Sequence, residues 1–281
     1  MKEMLCSFES PTRRSHTSFL TRVCLPMNPC VLILVDGLRP DAVEAAPMPS
    51  VLALARNSVY AGTAQSLMPN CTLPCHFSIF HSVVPERHGI TSNVWTPQVR
   101  PVEGLFEVLH AAGKEVGFAY NWEELRDLGR PGSVSKSFFH KMNMDALGSD
   151  AVIAEQAAAF LRSGADFVFC YLGETDEVGH RYGWMSPEYL QAAAHADEGV
   201  AHVLEALPAG GSAIVMADHG GHGRSHGTNC SEDMTVPLYI HAPQHQANSV
   251  SEPSLLDIAP TIATLCGVAS PSVWEGRTLV N

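Results

Sequence analysis

No apolar run in this 281-residue chain approaches the roughly 20 residues that a membrane-spanning helix needs. Residues 1–18 carry Glu, Ser and Arg where a secretory leader would have an apolar core of about 7–15 residues, so a cytoplasmic location is expected. Basic charge is scarce. Lys and Arg number 17 against 29 Asp and Glu, a formal net charge of −12, which disfavours general binding to nucleic acid or to an anionic membrane. No CxxC pair occurs among Cys6, Cys24, Cys30, Cys71, Cys75, Cys170, Cys230 and Cys266, so neither a disulfide framework nor a cysteine zinc module is expected.

A hydrophobic share of 46% with 16% charged residues suffices for the core of one large α/β domain. Met27 lies just before the first convincing strand. Residues 1–26 therefore read as a disordered or atypical N-terminal extension, or as an upstream mis-assigned start, and 27–281 as a single domain. The aliphatic run Cys30–Val35 lacks alternation, as does the run over 165–172, and both fit strands buried on two faces of a parallel sheet. Further strands are expected over 58–67, 115–120, from 212 up to Asp218, and over 236–241, with helices over 49–57, 102–112, 150–162, 187–207 and 255–265. Strands alternating with helices imply a doubly wound α/β sandwich with a mainly parallel sheet.

Ligands of such sheets bind at the carboxyl ends of the strands. At those ends stand Asp36 before Gly37, then Asp176 and His180 at i, i+4, then Asp218, His219, His222 and His226 among glycines. A metal site is one reading, and polar turns after buried strands are the other. Pro74 suits the first turn of a helix through Phe77 and Phe80, which places Thr72 just before an N-terminus where free N–H groups favour an anion. The Thr72 hydroxyl could attack phosphorus there, or simply cap the helix.

Taken together, Leu-Val-Asp36-Gly, Pro-Asn-Cys-Thr72-Leu-Pro-Cys-His76, Pro-Glu-Arg-His88-Gly-Ile with Asn93, Glu-Thr-Asp176-Glu-Val-Gly-His180, Ala-Asp218-His219-Gly-Gly-His, His226-Gly-Thr and Asp257-Ile-Ala-Pro-Thr resemble the alkaline phosphatase superfamily. They are most similar to its type I phosphodiesterase/nucleotide pyrophosphatase branch. The resemblance spans nearly everything after Met27. It implies an alkaline phosphatase-like core, here without the long insertions that form a cap. Thr72 would be the nucleophile, Asp36, Asp218 and His219 would hold one metal that also contacts the Thr72 oxygen, and Asp176, His180 and His226 would hold a second. Asn93 would donate to a non-bridging phosphoryl oxygen. Three carboxylates and three imidazoles suit two zinc ions, with manganese or iron as alternatives.

The activity implied is hydrolysis of a small phosphoester, diesters ahead of monoesters, with phosphonate cleavage also open. A sulfatase would need Cys or Ser where Thr72 stands, and a non-catalytic metal-binding protein would not need the nucleophile. Trp122, Glu123, Glu124 and Arg126 read first as a solvated face and second as a lining of the substrate crevice. His76, His81, His88 and His222 read as structural histidines, His195 and Asp197 as surface or packing residues, and Arg39, Arg87 and Arg224 as cations near the motifs without an assigned geometry.

Overall fold

Seven strands form one sheet in a computed structural model that describes residues 28–143 and 147–281; the expected extension at 1–26 lies outside those residues. In chain order the strands are β1 (Cys30–Val35), β2 (Tyr60–Gln65), β3 (Val116–Tyr120), β4 (Lys136–Phe139), β5 (Phe167–Leu172), β6 (Ser212–Met216) and β7 (Thr235–His241). Across the sheet they run β2-β7-β6-β1-β5-β3-β4. All neighbours pair in parallel from β6 through β4, and β7 is antiparallel to both β6 and β2. The sheet is thus mainly parallel, as its sequence implies.

Around it pack α1 (Pro40–Ala45), α2 (Pro49–Arg56), α3 (Thr72–His81), α4 (Pro85–His88), α5 (Leu105–Ala111), α6 (Ser149–Arg162), α7 (Glu174–Tyr182), α8 (Pro187–Glu205), α9 (Ser231–Met234) and α10 (Ile258–Leu265). Every residue of β1, β5 and β6 is buried, because helices cover both faces. Cys30 is level with Phe167 on one side and Ser212 on the other, so the three strands end together. That shared end is where Asp36, Gly173 and Asp218 begin their loops. No helix among the described residues is long and apolar enough to cross a membrane.

Several boundaries differ from the expected ones for local reasons. β4 is a four-residue edge strand whose alternate burial is too brief to give a periodic signal. β2 is shorter than expected, Tyr60–Gln65, the residues in continuous register with β7. α3 starts at Thr72 itself, with extended Cys71 as its cap residue and a bond from Cys75 N–H to Cys71 O at 3.0 Å. The element expected over 255–265 divides into a 3₁₀ turn, Leu255–Asp257, and α10. Asp197 supports a neighbouring helix. From α8 its carboxylate accepts the Ser50 and Val51 N–H groups at 3.0 and 2.8 Å, serving α2, whose own cap residue Met48 offers no side-chain bond.

His81 and His88 are structural, as expected. The His88 Nδ1 accepts the Ile90 N–H at 3.1 Å, which leaves Nε2 to donate to Ser78 Oγ, also at 3.1 Å. A second proton would set two N–H groups against each other. His81 donates from Nδ1 to Phe77 O at 3.0 Å and stacks on the Phe77 ring. Burial pushes His81 down to about 4 and His88 down to about 3, both below the unfolded value of about 6.5. The stabilising neutral state is fully populated above about 6.5, and its contribution is lost as pH falls toward the folded values. Each histidine then contributes a slope of roughly 1 kcal/mol per pH unit. Urea midpoints measured from pH 7 to 4 in metal-free buffer should fall steeply for the parent and less steeply for His88→Gln; equal slopes would contradict this assignment.

Candidate metal centre

Asp36 leaves β1 with its N–H bonded to Leu172 O at 3.0 Å, and the chain turns at once at Gly37, whose φ is +66°. A Cβ there would lie 3.0 Å from Asp176 Oδ1 and 3.1 Å from Asp176 Cα. Only glycine meets both demands. Trp184 Nε1 and Tyr189 Oη each donate to Gly37 O at 2.9 Å, fixing the turn. Across the sheet, Asp218 and His219 follow β6, and the next two residues come so close to neighbours that side chains would clash: Gly220 against the Glu232 backbone, Gly221 against the Trp184 indole. Those contacts hold the loop that returns His226 to the site.

α7 carries Asp176 and His180 one turn apart, with Nε2 3.4 Å from Oδ2. The His226 ring stacks on His219 at 3.8 Å between centroids. Two groups result, Asp36 with Asp218 and His219, and Asp176 with His180 and His226; within each, the potential ligand atoms all lie within 4.8 Å of one another. All six of these side chains are therefore brought together, in two groups of three.

The three imidazoles are oriented alike. Their Nδ1 atoms donate to backbone carbonyls, His219 to Gly220 O at 2.9 Å, His226 to Asn70 O at 2.9 Å and His180 to Arg224 O at 3.1 Å. Each Nε2 is then a lone-pair acceptor, the arrangement found around bound metals. The His219 Nε2 faces Asp36 Oδ1 at 3.3 Å, Asp218 Oδ2 at 3.5 Å and Thr72 Oγ1 at 3.3 Å. Asp36 Oδ1, Asp176 Oδ1 and Asp218 Oδ2 are buried without a hydrogen-bond partner.

Acceptors converging on acceptors in a dry site call for positive charge between them. Burial, reinforced by the neighbouring Asp36 charge, pushes the Asp176 and Asp218 carboxyls well up. Burial also pushes His219 down and His226 down to about 4. Protons would relieve the carboxylates, but cations relieve carboxylates and imidazoles at once. The donor set fits a pair of divalent ions.

Thr72 is 4% exposed, its hydroxyl in contact with His219 at the start of α3. Asn93 lies beside it. Its Oδ1 accepts the Leu73 N–H at 3.0 Å, which leaves the amide N–H groups to donate, and both residues line a cavity of about 110 Å³ over Asp36, Asp176 and His180. No Lys or Arg among the described residues lines that cavity. Arg39 is tied to Asp41 and to Gly221 O, Arg87 pairs with Glu275 at 3.0 Å, and Arg224 enters only through its carbonyl. Of the four residues near Trp122, the indole lines the cavity, whereas Arg126 pairs outward with Glu123 at 2.8 Å.

Other neighbours were not legible in the sequence. The Tyr171 hydroxyl donates to Asp36 Oδ2 from near the end of β5, where it looked like one more buried strand residue. His76 donates from Nδ1 to Thr72 O at 2.7 Å and lies 3.5 Å from Asp218 Oδ2, so it holds the site from below. Burial pushes it down to about 4. A third group, His222, Cys230 and Asp233, has ligand-like proximity. Here, however, the carboxylate is satisfied: Oδ1 meets His222 Nδ1 at 2.7 Å, and Oδ2 accepts the Thr228 N–H and hydroxyl at 2.9 and 2.8 Å. That contrast marks it as a loop brace.

The family model of the Metalloenzyme superfamily matches residues 116–270, more than half of the chain, and that of Type I phosphodiesterase / nucleotide pyrophosphatase matches residues 30–114. Human ectonucleotide pyrophosphatase/phosphodiesterase family member 7 is 24% identical over 221 residues, 69% of this chain and 48% of that protein. The chain spans less than half the length of the curated relatives it matches first. A solved 2-O GAG sulfatase superposes with a TM-score of 0.74 at 16% identity over 90% of this chain and 73% of its own. Murine ectonucleotide pyrophosphatase / phosphodiesterase 5, solved with AMP in an inactive form bearing a threonine-to-alanine substitution, superposes at 0.68 with 15% identity over 90% of this chain and all of its own. These structures share the fold. Matched by that model over most of its sheet and site, the chain belongs to the metalloenzyme superfamily with the alkaline phosphatase-like fold, and its first strand and the Thr72 segment, within residues 30–114, are similar to the nucleotide pyrophosphatase branch.

Proposed function

We propose that this protein is a metal-dependent phosphodiesterase, residues 27–281 forming one catalytic domain, in which Thr72 attacks phosphorus. One observation carries the preference for diesters: the cavity beside Thr72 has no Lys or Arg in its lining among the described residues, so the second negative charge of a monoester meets no side-chain cation. Asp36, Asp218 and His219 would hold one ion, and Asp176, His180 and His226 the other. Zinc suits this mixture of carboxylate and imidazole, with manganese or iron as substitutes. Bound there, two divalent ions would polarise the phosphoryl oxygens and favour the ionised forms of the attacking and leaving oxygens.

The chain's own groups do the rest. α3 presents the Thr72 hydroxyl at its first residue, and the bond from Nδ1 of His76 to Thr72 O keeps that residue from rotating away. Thr72 Oγ1 bonds to phosphorus as one alcohol departs with the ester electron pair and a proton; water then cleaves the threonyl ester, returning the hydroxyl and releasing a monoester. The Asn93 amide donates to a non-bridging oxygen whose charge grows on the way to the transition state. In the inactive murine relative a threonine is replaced by alanine, which supports the role given to Thr72. The reading includes a cytoplasmic location, supported by the free Cys30, Cys71, Cys75, Cys170, Cys230 and Cys266.

The test is parallel kinetics of metal-loaded protein on bis-p-nitrophenyl phosphate and p-nitrophenyl phosphate. A larger kcat/KM for the diester is expected; faster monoester cleavage would reverse the order, and no cleavage of either would end the proposal. Asn93→Asp keeps an acceptor for Leu73 N–H but removes the donor. It should lower kcat on the diester by roughly 10²-fold, the usual effect of losing one such donor. Unchanged kcat would remove Asn93 from the chemistry.

A further inference from the structure

Only Gly173 separates the end of β5 from α7, the helix that carries Asp176 and His180. As the cap residue of α7, Gly173 offers no side chain to the free N–H groups behind it. The cap comes from another helix. Asp150, in the first turn of α6, accepts the Gly173 N–H at 3.0 Å and the Glu174 N–H at 3.4 Å, both through Oδ1. Glu174 does the same for α6, whose cap residue Gly148 is equally bare. Its Oε1 accepts the Gly148 and Ser149 N–H groups at 2.7 and 2.6 Å and the Ser149 hydroxyl at 2.7 Å. Each helix therefore starts on the other's carboxylate.

Asn121, just after β3, ties the exchange together by donating from Nδ2 to Asp150 Oδ1 at 2.7 Å and to Ser149 Oγ at 2.9 Å. Asp150 and Glu174 are each 3% exposed, and they line a cavity of about 460 Å³ between α6 and α8 that has no Lys or Arg among its described residues. Their charge is met by N–H and O–H donors, which makes those bonds strong and specific in direction. The far end of α7 is held less tightly, with the His180 side chain 40% exposed and bonded through Nδ1 to Arg224 O. Where Asp176 and His180 stand thus depends on how the first turn is anchored. We propose that Asp150 is a positioning residue for the ion held by Asp176, His180 and His226, acting by fixing the start of α7. The inference rests on the paired-ion reading and adds a residue outside both ligand groups.

Zinc titrated against a chromophoric chelator gives both dissociation constants of the parent and of each variant. Asp150→Ala should raise one of them by at least about tenfold, the usual cost of losing a group that orients a ligand, and leave the other unchanged. Asp150→Asn keeps the Oδ1 that takes the bonds from Asn121, Gly173 and Glu174, and should restore the parent value. In an Asp176→Asn background, where that ion's group is already broken, adding Asp150→Ala should not weaken the ion that remains. Weakening of that ion, or of both ions in the single variant, would mean that Asp150 supports the fold at large, and would overturn the proposal. So would two unchanged constants in Asp150→Ala, or no recovery with asparagine. If Asp150→Ala does not fold, Asn121→Ala removes one donor from the same carboxylate and should raise the same constant several-fold; no change would overturn the proposal as well. A parent that binds fewer than two zinc ions would overturn the paired-ion reading and this inference with it.

Discussion

Thr72→Ala should lower kcat on a phosphodiester by roughly 10³-fold or more while leaving the metal content unchanged. The effect is large because the residue combines burial, position and contact. It opens α3, is 4% exposed, and sets its hydroxyl 3.3 Å from His219 Nε2 at the meeting point of both ligand groups. Its hydroxyl bonds to His219 rather than to the backbone of α3, so alanine removes little of the helix's support. Thr72→Ser keeps a hydroxyl and should retain measurable turnover. Rapid-quench capture of labelled phosphate on the parent, absent in the alanine variant, would identify the threonyl ester. Full turnover by Thr72→Ala would mean that water attacks phosphorus directly.

Asp176→Asn should have opposite effects with and without metal. In metal-free protein the buried Asp36, Asp176 and Asp218 carboxylates face one another, with one oxygen of each unbonded. Removing one charge relieves that repulsion, so the metal-free variant should melt above the metal-free parent. With metal the order reverses. At a free concentration near 100 times Kd, one bound ion stabilises the parent by about 2.7 kcal/mol, or roughly 5–10 °C in Tm for a domain of this size. The variant should lose most of the increment from its own group, and activity should fall by roughly 10²-fold. Calorimetry of both proteins, stripped by chelator and reloaded, gives all four melting temperatures. A metal-free variant less stable than the parent, with an undiminished response to zinc, would show that Asp176 neither crowds its neighbours nor binds the ion.

Much of this centre was legible because parallel sheets write their ligand sites at strand ends. Cys30–Val35 and the run before Gly173 are unbroken aliphatic and aromatic stretches, and each stops at an acidic or glycine-rich loop. Asp176 and His180 carry their own evidence in the i, i+4 spacing. Other features depend on partners far away in the chain. Tyr171 meets Asp36 across 135 positions, and Asp197 serves α2 from 147 positions away, so neither role has a local signature. Likewise Trp122, Glu124 and Arg126 lie close together in sequence, but the short turn Glu123–Asp127 sends the indole inward and the guanidinium outward. The Thr72 helix start was off by one residue because Pro74 tolerates any place in the first turn. β4 was invisible, since four residues do not establish a period.

Anomalous X-ray diffraction from zinc-loaded crystals, recorded on both sides of the zinc edge, probes the paired-ion centre directly. Two peaks about 3.5–4 Å apart are expected, one against Asp36, Asp218 and His219 beside the Thr72 hydroxyl, the other against Asp176, His180 and His226. A single peak, or zinc bound only at His222, Cys230 and Asp233, would contradict the assignment.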